Sequence, residues 1–134
     1  MSGKPIFTGD FFFDGRGPSL VRIHWAHDGK VLRAIDFDGT RGKAHLFFEG
    51  MQVYMVTPED VIELDSHDLM VVDGKIYSAV TLGKSEWLST FAPWYLDKCE
   101  HYKFLFYDEM IDVICEDVEV RAGYYQSGII QPKN

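Results

Sequence analysis

The chain has little of what marks secreted, membrane-spanning or redox-active proteins. Its only cysteines, Cys99 and Cys115, lack C-x-x-C spacing and are too few for a disulfide framework, so we expect two reduced, structural thiols. Apolar runs such as LMVV and FLFY stop at four residues, far short of the ~20 that a membrane helix needs. The opening segment has no basic stretch followed by an apolar one, as a secretory signal would. A cytoplasmic protein is therefore expected.

Basic residues are also scarce. The 13 lysines and arginines face 21 acidic residues, which gives a formal net charge of −8 and a pI near 4.9. Such a charge repels phosphate backbones and anionic membrane surfaces. The composition argues against nucleic acid and membranes as partners, and it favours a basic protein partner.

Apolar and aromatic residues, in contrast, are plentiful. They make up 46% and 15% of the 134 residues, enough for one domain to bury a core without metal or disulfide staples. We predict a single β-rich domain over residues 1–134, in which residues 128–134 form a frayed tail.

Turn signals punctuate the chain and predict a series of β-hairpins. Asp-Gly suits two-residue hairpin turns, and it occurs four times, at Asp14-Gly15, Asp28-Gly29, Asp38-Gly39 and Asp73-Gly74. Pairing about the second turn puts Arg22, His24 and Arg33 on one face with Ile35, and Ile23 on the other face with Ala34. Pairing about the fourth predicts a long hairpin from Leu69 to Leu82.

The clearest hairpin is HYKFLFYDEMIDVICEDVEV, with Asp108-Glu109 as its predicted turn. One face collects apolar side chains: Tyr102, Phe104, Phe106, Ile111, Val113 and Cys115. The other face holds Leu105, Tyr107, Met110 and Ile114 beside Lys103 and Asp112, and it is too apolar to be left in water. We expect a helix or a second subunit to cover it. A bulge at Glu116-Asp117 would return Val118 and Val120 to the core side.

Helix signals are few. Thr57 and Pro58 are suited to the start of a short helix over TPEDVIEL. Ser85 is a good N-cap for a second segment, which Pro93 would break and whose aromatic stripe is Trp87, Phe91, Trp94 and Tyr95. That stripe is the natural cover for the last hairpin, and residual exposed aromatic surface would support a homodimer. The predicted fold class is α+β and predominantly antiparallel β: a hairpin-rich roll or half-open barrel with one short helical segment packed on the sheet.

The stretch DFDGT, residues 36–40, resembles the first motif of phosphatases of the haloacid-dehalogenase type. That resemblance implies that Asp36 and Asp38 share a magnesium ion and divide the roles of nucleophile and acid/base. The family's motif ends a parallel strand and leads into a βα unit, whereas here a strand-like KAHLFFEG follows. The sequence therefore favours a hairpin with Asp38-Gly39 at its turn.

No other motif predicts a metal, a cofactor or a catalytic residue. His24 and His27 are three apart and would point to opposite faces of a strand. His67 lies in an acidic loop, which is more typical of a turn than of a cation site. Cys99 and His101 share a strand face, but no third group is indicated to orient them.

Five residues are candidates for binding. Arg22, His24 and Arg33 form a cationic strip that is either a solvated strand face or a site for an anion or acidic partner. Trp87 and Trp94 belong either to the core or to the rim of a ligand cavity or an oligomer contact.

Two functional hypotheses follow. The first is a small acidic interaction domain without a catalytic site, such as an inhibitor or immunity-type protein for a basic partner. The second is a small-molecule-binding protein or enzyme that uses a pocket inside the curled sheet. A closed interior would favour the first hypothesis, and an open cavity with converging polar groups would favour the second.

Overall fold

The structure is a computed structural model that describes residues 3–7, 18–26, 31–39, 42–58, 70–91 and 96–126. Most of these residues lie in antiparallel strands, with very little helix among them. The predicted β-rich α+β fold is therefore confirmed. Within the described ranges, no helix is long and apolar enough to cross a membrane.

The strands form two larger sheets and one small hairpin. In chain order they are β1 (Lys4–Pro5), β2 (Ser19–Ala26), β3 (Val31–Gly39), β4 (Gly42–Glu49), β5 (Val53–Pro58), β6 (Val71–Val72), β7 (Lys75–Ile76), β8 (Ala79–Gly83), β9 (Glu100–Leu105), β10 (Glu109–Cys115) and β11 (Asp117–Ala122). The helix α1 (Glu86–Ser89) lies between β8 and β9. The five-stranded sheet has the order β1-β8-β9-β10-β5, and the four-stranded sheet has the order β11-β4-β3-β2.

One bent ladder joins the two sheets. Strand β4 pairs with β11 in one sheet, and their continuations β5 and β10 pair in the other. Backbone hydrogen bonds from Gln52 N to Ile114 O and from Glu116 N to Glu49 O, each 2.9 Å long, carry the ladder across the bend. The chain crosses from the five-stranded sheet to the four-stranded sheet at Glu116, where a bulge was predicted. This crossing has the predicted effect, since Val118 is buried in the core and Val120 packs against it.

The core lies between the two sheets and is apolar. Its buried members are Leu32, Ile35, Phe37, Ala44, Leu46, Phe48, Ala79, Tyr102, Phe104, Phe106, Ile111, Val113, Cys115 and Val118. The face predicted for the last hairpin is thus confirmed. Because these side chains fill the interior, the polar groups of the described chain that could bind a ligand gather on the outer faces instead.

The hairpin predicted at DFDGT is confirmed, but its turn is displaced. Strand β3 runs antiparallel into β4, and Asp38 and Gly39 pair with Lys43 and Gly42 inside the ladder. The link therefore falls at residues 40 and 41, which lie outside the described residues. The parallel strand and following helix that the phosphatase motif needs are replaced by this antiparallel pair.

Two other hairpins differ in detail from prediction. Asp73 and Gly74 do form the predicted turn, both with positive φ, but β6 and β7 pair over only two residues each. Strands β2 and β3 have the predicted partners only next to the turn, where Trp25 pairs with Leu32 and Ala26 with Val31, and residues 27–30 lie outside the described part. A register shift leaves Arg33 as an extra residue between them, so Ile35 pairs with Ile23 in the core. The predicted faces of Ala34 and Ile35 are therefore exchanged.

The turn of the last hairpin lies one residue earlier than predicted. Leu105 pairs with Met110, and Phe106 N donates to Glu109 O, which leaves Tyr107 and Asp108 at the turn. Moving a two-residue turn by one position changes the register by two. Since side chains alternate with a period of two, every predicted face survives.

The outer face of this hairpin is covered within the chain. Ile114 packs with Trp87, Leu88 and Phe91 of the helical segment, as predicted. The other end is covered differently, because Met110 and Leu105 form a cluster with Met70, Val80, Tyr77 and Leu82. Tyr107 alone of the predicted apolar face is exposed. The homodimer expected from this face stays an untested prediction.

The helix predicted to begin at Thr57 and Pro58 is wrong at these two residues. Both lie in β5, where they pair with Met110 and Glu109. Strand β5 is at the edge of its sheet, so Pro58 needs no N–H to donate to a further strand. The rest of that predicted helix, the Asp14-Gly15 turn, His67 and the predicted tail at 128–134 lie outside the described residues.

Candidate binding site on the four-stranded sheet

Arg22, His24 and Arg33 lie on the outer face of the four-stranded sheet, the face turned away from the core. The outer face of this sheet is defined here by alternating side chains of β2, β3, β4 and β11 and by the segment 123–126 that follows β11. Arg22 is exposed and pairs in register with Asp36. The guanidinium of Arg33, at the bulge, lies 5.7 Å from the ring centre of Phe47.

Asp36 is the buried centre of this face. His24 Nε2 lies 2.6 Å from one carboxylate oxygen, and Tyr125 N donates to the other at 2.7 Å. The side chain of Asp36 is fully buried and that of His24 is 10% exposed. Both oxygens of Asp36 are therefore already engaged, which is a structural role unlike that of a phosphatase nucleophile.

His45 carries the one buried side-chain N or O atom of the described residues that has no hydrogen-bond partner. Its Nδ1 lies 2.8 Å from the carbonyl oxygen of Gly123. A carbonyl can only accept, so Nδ1 holds a hydrogen, and in the neutral form of the ring Nε2 presents a lone pair. That Nε2 is buried and unpartnered. Leaving such a group unsatisfied costs about 1–3 kcal/mol.

A pocket of about 330 Å³ opens beside His45. Its other lining residues come from the end of β11 and the segment after it: Arg121, Ala122, Gly123, Tyr124, Tyr125 and Gln126. The Tyr125 ring packs against the rings of His24, His45 and Phe47, with centroids 5.0, 5.6 and 6.0 Å apart. Aromatic walls with a few fixed polar groups are typical of small-molecule sites.

The charges of this face are unevenly compensated. Asp38 accepts a hydrogen bond from the hydroxyl of Tyr124, and this bond raises the pKa of the tyrosine. Glu119 is held by Arg121, whose Nε and Nη2 both donate to one oxygen, at 3.0 and 2.7 Å. Arg22, Arg33 and Lys43 make no ion pair in the described part of the chain. In a protein of charge −8, this face offers cations to an anion.

Trp87 lies at a second polar cluster, on the covered face of the five-stranded sheet, and Trp94 lies outside the described residues. The Trp87 ring meets the edge of His101, with centroids 4.9 Å apart. His101 Nε2 and Lys103 Nζ both contact Oδ1 of Asp112, at 2.7 and 2.6 Å. His101 Nδ1 lies 2.8 Å from the hydroxyl oxygen of Ser85.

Asp112 is ionised in this second cluster. Burial alone would raise its pKa, but the hydrogen bond from His101 and the charge and hydrogen bond of Lys103 outweigh burial and hold the pKa below its ordinary value of 3.8. Cys99, on the same face as His101, is different. Burial raises the pKa of its thiol, and so does the nearby carboxylate of Glu116. It is therefore a poor nucleophile.

Sequence signals for the other residues of the two clusters are weaker. His45 sits in KAHLFFEG two residues from Lys43 and Phe47, so alternation could have placed it on the outer face of β4. Tyr124 and Tyr125 follow the last strand, and no local pattern indicates that they fold back over the sheet. The described residues contain no group of three or more His, Cys, Asp or Glu side chains arranged to hold a metal ion.

Comparisons of the chain with protein-family models, with curated proteins and with solved structures found no match in any of the three. The function must therefore be inferred from the geometry of these two clusters.

Proposed function

We propose that the protein is a small binding domain whose ligand occupies the pocket beside His45 on the outer face of the four-stranded sheet. The buried, unpartnered Nε2 of His45 carries this proposal. Because this atom has almost no exposed surface, the neighbouring side chains must shift before a ligand in the pocket can donate a hydrogen bond to it, and that bond would then recover the cost of the unsatisfied acceptor. The pocket volume of about 330 Å³ is at the small end of the range for ligand sites.

The surrounding charges define the ligand class further. The acceptor at His45 calls for a hydroxyl or amine donor. Lys43, whose ammonium lies 5.2 Å from the ring centre of the pocket residue Tyr124, makes no ion pair in the described residues and favours an anionic group. Arg121 also lines the pocket, and its Nη1 group is not used in the pairing with Glu119. A small hydroxycarboxylic acid has both groups. We therefore propose a ligand of this class.

Titration followed by NMR tests the proposal. We expect gluconate, which has hydroxyls and a carboxylate, to shift the resonances of His45 and Arg121. Sorbitol, which lacks the charge, and acetate, which lacks the hydroxyls, should bind at least about tenfold more weakly, the equivalent of losing one hydrogen bond or ion pair.

Two variants make the test specific. His45→Asn keeps a donor near the Gly123 carbonyl but deletes the Nε2 acceptor, and Arg121→Gln removes the charge. Both should weaken gluconate binding, whereas Lys75→Gln, on the exposed β6–β7 hairpin, should not. Equal binding by all four proteins, or no shift with any probe, would refute the proposal.

A second candidate function is recognition of a basic partner by the acidic corner where the chain passes between the sheets. Glu49 and Asp117 stand directly opposite each other in the β4–β11 register, and Glu116 lies next to them, all three exposed. Like charges in direct cross-strand pairs are destabilising. A cationic partner would relieve that repulsion, in line with the net charge of −8.

A further inference from the structure

We propose that the hydroxyl of Ser85 is a nucleophile that accepts the acyl group of a small carboxylic ester, with His101 as its base. The site is on the covered face of the five-stranded sheet. It is separate from the pocket beside His45, and the inference is independent of the function proposed above.

Hydrogen-bond directions place the proton where the reaction needs it. The ionised carboxylate of Asp112 only accepts, so His101 Nε2 holds a hydrogen and donates it over 2.7 Å. In the neutral form of the ring Nδ1 is then an acceptor, to which the Ser85 hydroxyl, 2.8 Å away, donates. Serine, imidazole and carboxylate thus form one directed chain, the arrangement that activates a serine hydroxyl in acyl-transfer enzymes.

The base is buried more deeply than the nucleophile. His101 and Asp112 are 5% and 2% exposed, while Ser85 is partly exposed. Trp87 meets the His101 ring on one side, and the rings of Trp87 and Phe91 pack edge to face with centroids 5.7 Å apart. These apolar rings exclude water from the imidazole and suit a short apolar acyl group.

Several contacts fix Ser85 in place. It follows β8 and is the N-cap of α1, where its oxygen accepts from Leu88 N at 3.1 Å. The neighbouring Lys84 ammonium donates to the carbonyl oxygens of Leu96, Asp97 and Cys99. The start of α1 is therefore tied to the segment that leads into β9, the strand that carries His101.

Lys103 limits the reactivity of this chain of groups. Its ammonium shares Oδ1 of Asp112 with His101, so the carboxylate stabilises a protonated imidazole less than an unshared one would. Asp112 and Lys103 are positioning residues in this scheme. Slow acylation is the expected consequence.

The reaction balances without any co-reactant other than water. Ser85 Oγ forms a bond to the ester carbonyl carbon as its proton passes to His101 Nδ1. The bond from carbon to the alcohol oxygen then breaks, and the alcohol leaves with that proton. Water attacks the acyl-serine in the same way, releasing the acid and returning the proton to Ser85.

Labelling with a fluorophosphonate, which forms a phosphonyl ester with activated serines and releases fluoride, tests the proposal on the full chain. We expect one adduct per chain, mapped to Ser85 by tandem mass spectrometry. Ser89 lies in α1, and its hydroxyl donates to the Glu86 carbonyl and contacts no histidine among the described residues. It is the internal control and should stay unlabelled. An intact Ser85, or a label on Ser89 at a similar rate, would overturn the proposal without any variant.

Variants then separate reactivity from structure. Ser85→Asn keeps an N-cap acceptor and should abolish labelling. His101→Gln should slow it by about 100-fold or more, because a general base contributes on that scale. Unchanged labelling in His101→Gln, with thermal unfolding showing that the variant is folded, would make the network purely structural.

Discussion

Buried polar residues set the chemistry of both outer faces. Asp36 and Asp112 each lie on a face turned away from the core, and each carboxylate contacts a histidine on a neighbouring strand. Their other partners differ, since Asp36 also accepts from the backbone of Tyr125 and Asp112 also contacts the ammonium of Lys103. Both carboxyl groups have hydrogen-bond partners, as buried polar groups must.

Asp112→Asn should destabilise the protein by about 3–5 kcal/mol at neutral pH, because the Lys103 ammonium would stay buried without its counter-ion. The wild-type carboxylate has a folded-state pKa below its ordinary value of 3.8. It therefore contributes stability above that pH and loses it as the pH falls through the folded-state pKa.

Urea unfolding between about pH 6 and about pH 2, roughly two units either side of the ordinary pKa, measures this loss. The stability difference between wild type and Asp112→Asn should shrink on acidification. Asp97→Asn, at an exposed position, serves as the control for the loss of one carboxylate. A pH-independent difference would contradict the role assigned to Lys103.

Among the secondary-structure elements, the bend of the ladder between β4–β11 and β5–β10 decides the fold. Gly50 lies where β4 leaves the four-stranded sheet, with φ +62°, a conformation that L side chains rarely adopt. A Cβ at this position would also collide with the side chain of Glu116, across the bend. The bend of the ladder therefore requires a residue without a Cβ at position 50.

Gly50→Ala should cost about 1–2 kcal/mol for the backbone conformation and about 1 kcal/mol more for displacing Glu116. Gly83→Ala is the matched variant, since Gly83 has φ +58° and open space around its would-be Cβ. Chemical denaturation should show the larger loss at Gly50. In a protein that already carries Glu116→Ala, Gly50→Ala should cost only as much stability as Gly83→Ala does. If the two glycine substitutions cost the same in the otherwise wild-type protein, Glu116 does not collide with the new Cβ.

Two kinds of packing stabilise the molecule as a whole. Cys115 is in the core between the sheets, whereas Cys99 is in the cluster under the helical segment. Both thiols are free and buried, and burial is the main cause that raises the pKa of each. One thiol reagent can therefore report on two events: opening of the helical segment over Cys99 and separation of the sheets around Cys115.

A thiol reagent should label Cys99 faster than Cys115 under native conditions. Local release of α1 exposes Cys99, but only separation of the two sheets exposes Cys115, and that event approaches global unfolding. Mass spectrometry at increasing, sub-denaturing urea would follow both rates. Equal rates would mean that the helical segment opens only with the whole molecule.

Alternation along the strands determined much of this protein from sequence alone. It assigned both faces of the last hairpin correctly even with the turn one residue out, because the error changed the register by two. Ser85 was identified as a cap for a similar reason: capping depends on residues within one turn of helix, here Leu88. Such local regularities need no knowledge of the rest of the chain.

Only the tertiary structure decided what those faces do. The bulge at Arg33 exchanged the faces of Ala34 and Ile35, and no local signal specified it. Asp36 meets Tyr125 across 89 positions of sequence, and Ser85 meets His101 because β8 pairs with β9 and α1 folds onto the sheet. Strand order and the bend of the ladder bring these groups together. They follow from packing two sheets around one core, which no short stretch of sequence encodes.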